Sequence, residues 1–579
     1  MPEPTPNPKM TPEADSEPPL SLLYSRIGYG QGRPPVLVLR GAATAAVGKW
    51  TLGGEGTVLH GDLPHGDLLW GDTWRVLKLP PNLGCGHYRL EVTTGDHSAA
   101  LSAEFEVAPD LLWDRTWQAV SYEQAERRER FSEKHRGKPL GWFDAGMHWQ
   151  EANAHAAYLV GLCDVLELRH PAMDAAEAGR LLRQLLNGAR YLALLQDLGK
   201  ERSGEGGPLV HQSFKIDHIL LPADAPRAAV AWARVADLLP PAHAGEAEDF
   251  RQRARRALDW FLQKPRQADQ PGCGIPHGIQ CAWARPPEFT TSDLAQCVEA
   301  AFLLQDKRVF SLADQWLDRQ LAPAAADEQD GLYGNFRLFA TGPLTEKAWT
   351  HGFDPDGHGF NCGQTVGHHL TPLVGLLGRH PDHPQAGRWR RALEHFAYGY
   401  FLPACHRNPF QLAPLGWFEG EGLLHFAGLW HGCNGLYGRM AAQALDFADF
   451  FNDPAFEAVA EGNLQWIAGL NAGLRRDQTT ACHLSTPEAP EVGFVPVSMI
   501  HGIGQRTAGS WLNLRGAICN GFSTGDQFVW DTEVRLAADG PTSFTDEDWI
   551  THAGGWLSGI ARMENPDRKE LSQTRFTSS

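Results

Sequence analysis

Residues 152–170 read ANAHAAYLVGLCDVLELRH, an unbroken stretch without proline. Wound at 3.6 residues per turn, Ala156, Leu159, Val160, Cys163 and Leu166 fall on one stripe, so the spacing predicts an amphipathic helix. Pro171 breaks it, and PAMDAAEAGRLLRQLLNGARYLALLQDLGK (171–200) predicts a second. Similar segments recur near 114–135, 227–240, 245–265, 291–305, 306–322, 364–379, 384–402, 433–451, 454–470 and 548–562. Asp453-Pro454 is a start signal, a capping acceptor followed by proline at the first helical position. About twelve helices result, many in adjacent pairs with short links, and no fixed repeat length marks a solenoid. Paired helices in even number close into a ring, so the expected fold is mainly α, an (α/α)6 toroid spanning 110–565.

Upstream the period changes to two. LLYSRIGYG (22–30), PPVLVLR (34–40), TWRVLKL (73–79), GHYRLEV (86–92) and AEFEV (103–107) are short β-rich runs separated by turn residues. Tyr88, Leu90 and Val92 alternate with Arg89 and Glu91. Residues 21–109 therefore predict a small immunoglobulin-like β-sandwich, ended by Ala108-Pro109. The Pro-rich acidic start, 1–20, predicts a disordered tail, and 566–579 a polar one.

The chain has 579 residues, 42% apolar and 21% charged, which is a globular composition with ample core material. Lys and Arg number 51 against 69 Asp and Glu, a net charge of −18 with neutral His. An acidic chain without a basic block is a poor ligand for phosphate backbones, so no nucleic-acid partner is expected. No apolar run reaches membrane-spanning length, so no membrane partner is expected either. The start lacks a basic region followed by an apolar run, which predicts a cytoplasmic location and, with it, short imported or internally made glycans as substrates.

The ten cysteines contain no CxxC pair and predict buried thiols rather than a disulfide framework. Cys273, His277 and Cys281 could supply part of a zinc site, but zinc wants four ligands and a Gly-rich loop with incidental thiols is the favoured reading. No metal and no cofactor is predicted.

The long stretches between helices, 200–224, 266–290, 323–362, 403–432 and 471–546, are aromatic and polar: HQSFKIDH, CAWARPPEF, AWTHGFDPDGHGF, LGWFEGEGLLHFAGLWHG. With 20 Trp in the chain, they suit a cleft in which flat rings cover sugar faces and polar groups bond hydroxyls, although any single Trp is more often core. Trp142, His148, Trp283, Trp430 and His431 are the candidate sugar contacts. Two loops carry carboxylates among aromatics: GWFDAGMHWQEA (141–152) with Asp144, and FTDEDWITHAGGWLSGIARM (544–563) with Asp546, Glu547 and Asp548. Facing carboxylates are the minimal equipment for glycoside hydrolysis, one protonated to release the leaving sugar and one ionised to activate water. Asp546 and Asp548 also fit the plainer role of helix caps.

GWFDAGMHWQEANAHAAYLVG resembles the signature of glycoside hydrolase family 9, GW-x-DAGD followed by an Ala-rich helix. RIGYGQGRPPVLVLR resembles the first strands of that family's immunoglobulin-like module. FTTSDLAQCVEAA, NPFQLAPLGWF, WHGCNG, NLQWIAGLNAG and NGFSTGDQF resemble later landmarks in the same order. The resemblance implies that Glu547 is the general acid and that Asp144 helps hold the attacking water. The family's general base falls on Met147, whose thioether cannot take a proton from water. Of its Pro-His-His-Arg substrate motif only His501 and Arg506 remain nearby, and Thr551 and His552 replace an Asp and a Tyr of the final segment. Family members often carry structural calcium, for which Asp354 and Asp356 of DPDG offer oxygens; a plain turn explains that tetrapeptide.

The expected function is a glycoside hydrolase acting on β-linked oligo- or polysaccharide, inverting, with Glu547 as acid and an atypical base, Asp144 first and His148 as an alternative. A catalytically silent carbohydrate-binding homologue is the alternative reading. A lyase using Tyr or His on the same toroid is the third.

Overall fold

A computed structural model describes residues 20–41, 48–69, 72–93, 100–136, 140–144, 150–169, 173–211, 220, 222–263, 289, 291–337, 340, 370–414, 416–418, 423–426, 433–471, 474–475, 494–495, 498–504, 514–521, 548–565 and 567–568.

Among the described residues, nine strands come first: β1 (Ser21–Leu23), β2 (Tyr29–Gly30), β3 (Val36–Gly41), β4 (Lys49–Gly54), β5 (Thr57–Asp62), β6 (Asp67–Leu69), β7 (Asp72–Lys78), β8 (Gly86–Thr93) and β9 (Ala100–Ala108). They form a four-stranded sheet, β1-β3-β7-β6, and a five-stranded sheet, β2-β9-β8-β4-β5. In β8 the expected alternation holds, with Tyr88, Leu90 and Val92 buried between Arg89 and Glu91, which are exposed. β3 instead reads VLVL because both faces are covered: Leu37 and Leu39 enter the sandwich core while Val38 joins the core of the helical region. Trp74 of β7 crosses the same boundary, edge-on to Phe410 at 5.5 Å. The β4–β5 hairpin and β6 were not anticipated; glycine-rich β4 and β5 weaken the apolar period that marks strands.

Among the described residues the helices are α1 (Leu111–Gln118), α2 (Gln124–Arg136), α3 (Ala152–Arg169), α4 (Ala175–Ser203), α5 (Asp224–Leu238), α6 (Ala244–Gln263), α7 (Thr291–Leu303), α8 (Val309–Leu317), α9 (Thr371–Arg379), α10 (Ala386–Glu394), α11 (Leu402–Cys405), α12 (Asn434–Phe451), α13 (Ala455–Ala468) and α14 (Ile550–Met563). Among the described residues, α3, α5, α7, α9, α12 and α14 touch in that cyclic order and α14 closes back onto α3. The remaining helices lie outside this ring. That is the (α/α)6 toroid, preceded by the immunoglobulin-like sandwich.

The expected stripe on α3 proved too narrow. Nearly every residue from Ala152 to Arg169 is buried, because an inner helix has neighbours on all sides. The outer helix α6 shows the amphipathic pattern instead, burying Phe250, Ala254, Ala257, Leu258 and Phe261. α13 starts one residue later than expected, with Pro454 rather than Asp453 at its N-cap, and the Asp453 carboxylate accepts from Ala455 N–H at 3.0 Å. The Gly554-Gly555 pair sets how closely the inner helices approach. A Cβ on Gly161 would lie 2.4 Å from the Gly554 carbonyl oxygen, and one on Gly555 would lie 2.2 Å from that of Gly435. α14 is thereby wedged between α3 and α12 by backbone contact.

Candidate active site

The N-terminal ends of α3, α12 and α14 lie together, since Asp144 precedes α3 and its carbonyl accepts from Ile550 N–H at 2.8 Å, while Gly435 N–H donates to His552 Nδ1 at 2.8 Å. Three loop segments stack beside them. Ile500 bridges Ile518, and Cys519 bridges Asp548, so the segments around His501, Asn520 and Asp548 run side by side and end against Asp144. Four motifs far apart in sequence, GWFD, IHG, NG and DWI, meet at this one mouth.

Asp144 is fully buried, and its Oδ2 accepts from Glu151 N–H at 2.5 Å. That N–H lies at the start of α3, where the aligned peptide dipoles favour an anion. The chain crosses from Asp144 back to α2 through Arg128, which is also fully buried. Its guanidinium donates to the carbonyls of Phe143 (2.8 Å) and Asp144 (3.1 Å) and pairs with the Asp548 carboxylate at 2.5 Å. Asp548 therefore serves not as the helix cap that the sequence suggested but as the far end of a buried clamp; α14 starts at Ile550 with no side-chain cap. A π-helical insertion at Ala119–Glu123 between α1 and α2 has its freed carbonyls bonded by Tyr158 Oη, at 3.0 and 2.5 Å.

His552 has a fixed tautomer. Its Nδ1 accepts a backbone N–H, so Nε2 carries the proton and donates to Asn520 Oδ1 at 2.7 Å. Thus His552 ties α14 to α12 and to the NG loop.

A second polar group borders Asp144. Glu151 Oε1 lies 3.6 Å from His211 Nε2, and His211 Nδ1 lies 2.8 Å from Asp224 Oδ2. Burial alone would lower the His211 pKa, but Asp224 and then Glu151 outweigh it and raise it to about 10. His211 is thus a cation at neutral pH, held between two carboxylates. The loop HQSFKIDH and the motif GWFDAGMHWQEA pointed to this neighbourhood, but nothing in their spacing paired Glu151 with His211. Arg128, inside a run of charged helix residues, gave no signal.

Trp142, expected against substrate, is instead a core residue. Its ring is fully buried, stacks on His155 at 5.1 Å and donates from Nε1 to Gln184 at 2.7 Å. A large apolar ring beside the inner helices gains more by filling the α3–α4 interface than by standing in water. His501 is buried within the stacked loops, its backbone N–H donating to Ala517 and its carbonyl accepting from Gly516, both at 2.9 Å. Glu547, Met147, His148, Trp283, Trp430, His431 and Arg506 lie outside the described residues, as do Asp546, Cys273, His277, Cys281, Asp354 and Asp356. Among the described residues, no group of three or more His, Cys, Asp or Glu side chains could hold a metal ion.

No family profile matches this sequence, and no curated protein matches it. Solved structures do. A glycoside hydrolase family 9 endoglucanase derived from a metagenome superposes with a TM-score of 0.60 at 15% identity, over 94% of this chain and 99% of the other. A family 9 protein of Bacteroides ovatus gives 0.55 at 13%, over 94% and 98%. A thermostable endoglucanase of Alicyclobacillus acidocaldarius gives 0.56 at 15%, over 94% and 99%. With sandwich and toroid matched end to end, the chain has the fold of the family 9 glycoside hydrolases.

Proposed function

We propose that the protein is a glycoside hydrolase that cleaves β-linked oligo- or polysaccharide with inversion, Glu547 acting as general acid and Asp144 as the base. One observation carries this reading: Ile550, three residues after Glu547, is hydrogen-bonded at 2.8 Å to the carbonyl of Asp144. Three residues span at most about 11 Å of chain, which suits the roughly 6.5–9.5 Å between acid and base in inverting enzymes. The Glu547 carboxyl protonates the glycosidic oxygen, and the ionised Asp144, favoured by the start of α3, takes a proton from the attacking water on the opposite face. Met147 leaves the family's usual base position without a proton acceptor, which is why the role passes to Asp144.

The test compares wild type, Glu547→Gln and Asp144→Asn on a panel of β-linked oligosaccharides, with the product anomer followed by NMR. Each variant should lose about 10²–10⁴ in rate, and the first-formed product should be the α-anomer. Full turnover by Asp144→Asn would remove Asp144 as base. If wild type and Glu547→Gln bind sugars equally and neither cleaves any, the protein is a silent binder and the proposal fails.

A further inference from the structure

Between the outer face of the five-stranded sheet and the 498–504 loop lies an open cavity of about 890 Å³, within the range of small-ligand pockets. Strand register builds its floor. Gly53 of β4 stands opposite Arg89 of β8, which stands opposite Glu104 of β9; in the next row outward-facing residues, Thr51 stands opposite Glu91. Leu52 is buried in the sandwich core, so Thr51 and Gly53 face outward. A Cβ on Gly53 would meet no atom within 4 Å, so the missing side chain leaves the floor open. Val58, directly across from Gly53 on β5 and 72% exposed, extends the row with an apolar surface. One wall is Ile503 and Gly504, two and three residues beyond His501.

The charges in the cavity select a ligand class. Arg26, Arg89 and Arg115 face Glu91, Glu104 and Glu106, three against three. Arg89 pairs with Glu91 at 3.0 Å and Glu104 at 2.9 Å, Arg115 pairs with Glu106 at 2.5 Å, and Arg26 lies over the Tyr24 ring at 4.4 Å. Such exposed pairs add little to stability. They set planar donors and acceptors side by side across neighbouring strands of the sheet face. A balanced set gives no net attraction to a polyanion or polycation. It matches a neutral polyol, whose neighbouring hydroxyls both donate and accept.

From this arrangement we infer a second carbohydrate site, taking a neutral stretch of glycan along the sheet face beside Gly53 and Arg89 and delivering the rest of the chain toward the His501 loop. The inference rests on the proposed hydrolase reading for its ligand class. The test uses Gly53→Val, which fills the floor without a strained backbone, and Arg89→Ala. Calorimetric titration with a soluble mixed-linkage β-glucan, in a Glu547→Gln background that prevents turnover, should show about tenfold weaker binding for Gly53→Val and several-fold weaker binding for Arg89→Ala. With Glu547 intact, both should cleave a short chromogenic β-glycoside at the wild-type rate. Equal glucan affinity in all three proteins overturns this site even if the short glycoside is cleaved, in which case the hydrolase reading stands. Tighter binding of a sulfated glycan than of the neutral glucan also overturns it. No cleavage of any glycoside by wild type sinks the hydrolase reading, whereas Gly53-dependent glucan binding would still support the sheet site.

Discussion

The two ends of the toroid handle buried charge in opposite ways. At the mouth the carboxylates have few charged partners: Asp548 meets Arg128 at 2.5 Å, Glu151 lies 3.6 Å from His211, Asp224 meets His211 at 2.8 Å and Arg227 at 3.7 Å, and Asp144 accepts from the Glu151 N–H. In the lower half, the helices themselves supply a closed lattice. Asp164 of α3 pairs with Arg562 of α14 and Arg234 of α5, each at 3.0 Å, and lies 3.9 Å from Arg439 of α12. Arg562 also reaches Asp446 at 3.2 Å, and Arg234 reaches Glu167 at 2.6 Å. Burial by itself would raise the Asp164 pKa, but the three arginines outweigh it and hold the carboxyl well below its ordinary value. Charge fixed on rigid helices from four directions locks the ring.

The sharpest way to break this contrast is Asp164→Ala. Three arginines would face one another without their shared carboxylate, and unfolding free energy should fall by about 3–5 kcal/mol in urea titrations at neutral pH. Because the folded pKa is depressed, the contribution is present above the ordinary aspartate value and is lost as pH falls through the folded one. The gap between wild type and variant should therefore close in acid. A neutral-pH loss below about 1 kcal/mol would show that the lattice is ornamental.

Arg128→Met probes the mouth clamp next. The variant leaves Asp548 buried without its cation and frees the carbonyls of Phe143 and Asp144, so a loss of about 3 kcal/mol is expected. Turnover should fall with it, since the clamp sets Asp144 against α14. Arg128→Lys should not rescue either property, because one ammonium cannot span three acceptors in a fixed fork. Retention of full activity in Arg128→Met would separate the clamp from the chemistry.

How much of this was legible depended on period. The helix pairs showed because capping signals and outer-helix stripes are local, as at Asp453 and along α6. The inner position of α3 was not legible, since burial on all sides erases the stripe that a sequence reading seeks. The β4–β5 hairpin escaped because Gly53, Gly54 and Gly61 interrupt its alternation. At the site, the carboxylate loops were legible from composition and from the family resemblance. The clamp through Arg128 and the Glu151–His211–Asp224 group were not, because each joins side chains whose spacing in sequence carries no regular pattern. Trp142 was misplaced for a related reason: an aromatic beside a catalytic motif looks the same whether it lines a cleft or fills a core.

A third prediction sharpens the mouth itself. His211 has its folded pKa raised from 6.5 to about 10. Its stabilising contribution is complete below the ordinary histidine value and is lost as pH rises through about 10. His211→Gln should therefore cost about 2–3 kcal/mol near pH 6 and progressively less above pH 10, read from denaturant midpoints across that range. A cost that stays constant with pH would mean that His211 acts by packing alone.

The smallest effect is expected at the margin of the opposite end, where Glu564 follows α14. Its carboxylate accepts from Trp113 N–H at 2.6 Å and Leu112 N–H at 3.3 Å, capping α1 from across the chain. Arg33 of the sandwich approaches to 3.5 Å, yet burial outweighs it and raises the Glu564 pKa to about 7. The sign is opposite to that of Asp164. Between the ordinary glutamate value and about 7 the folded protein holds a proton that the unfolded chain has released, so stability falls as pH rises through that window. Glu564→Gln, close in shape to the protonated acid, should match wild type near pH 4.5. By pH 8 it should be the more stable protein. If the variant is instead less stable at pH 8, Arg33 outweighs burial, and Glu564 joins the locked carboxylates of the lower half.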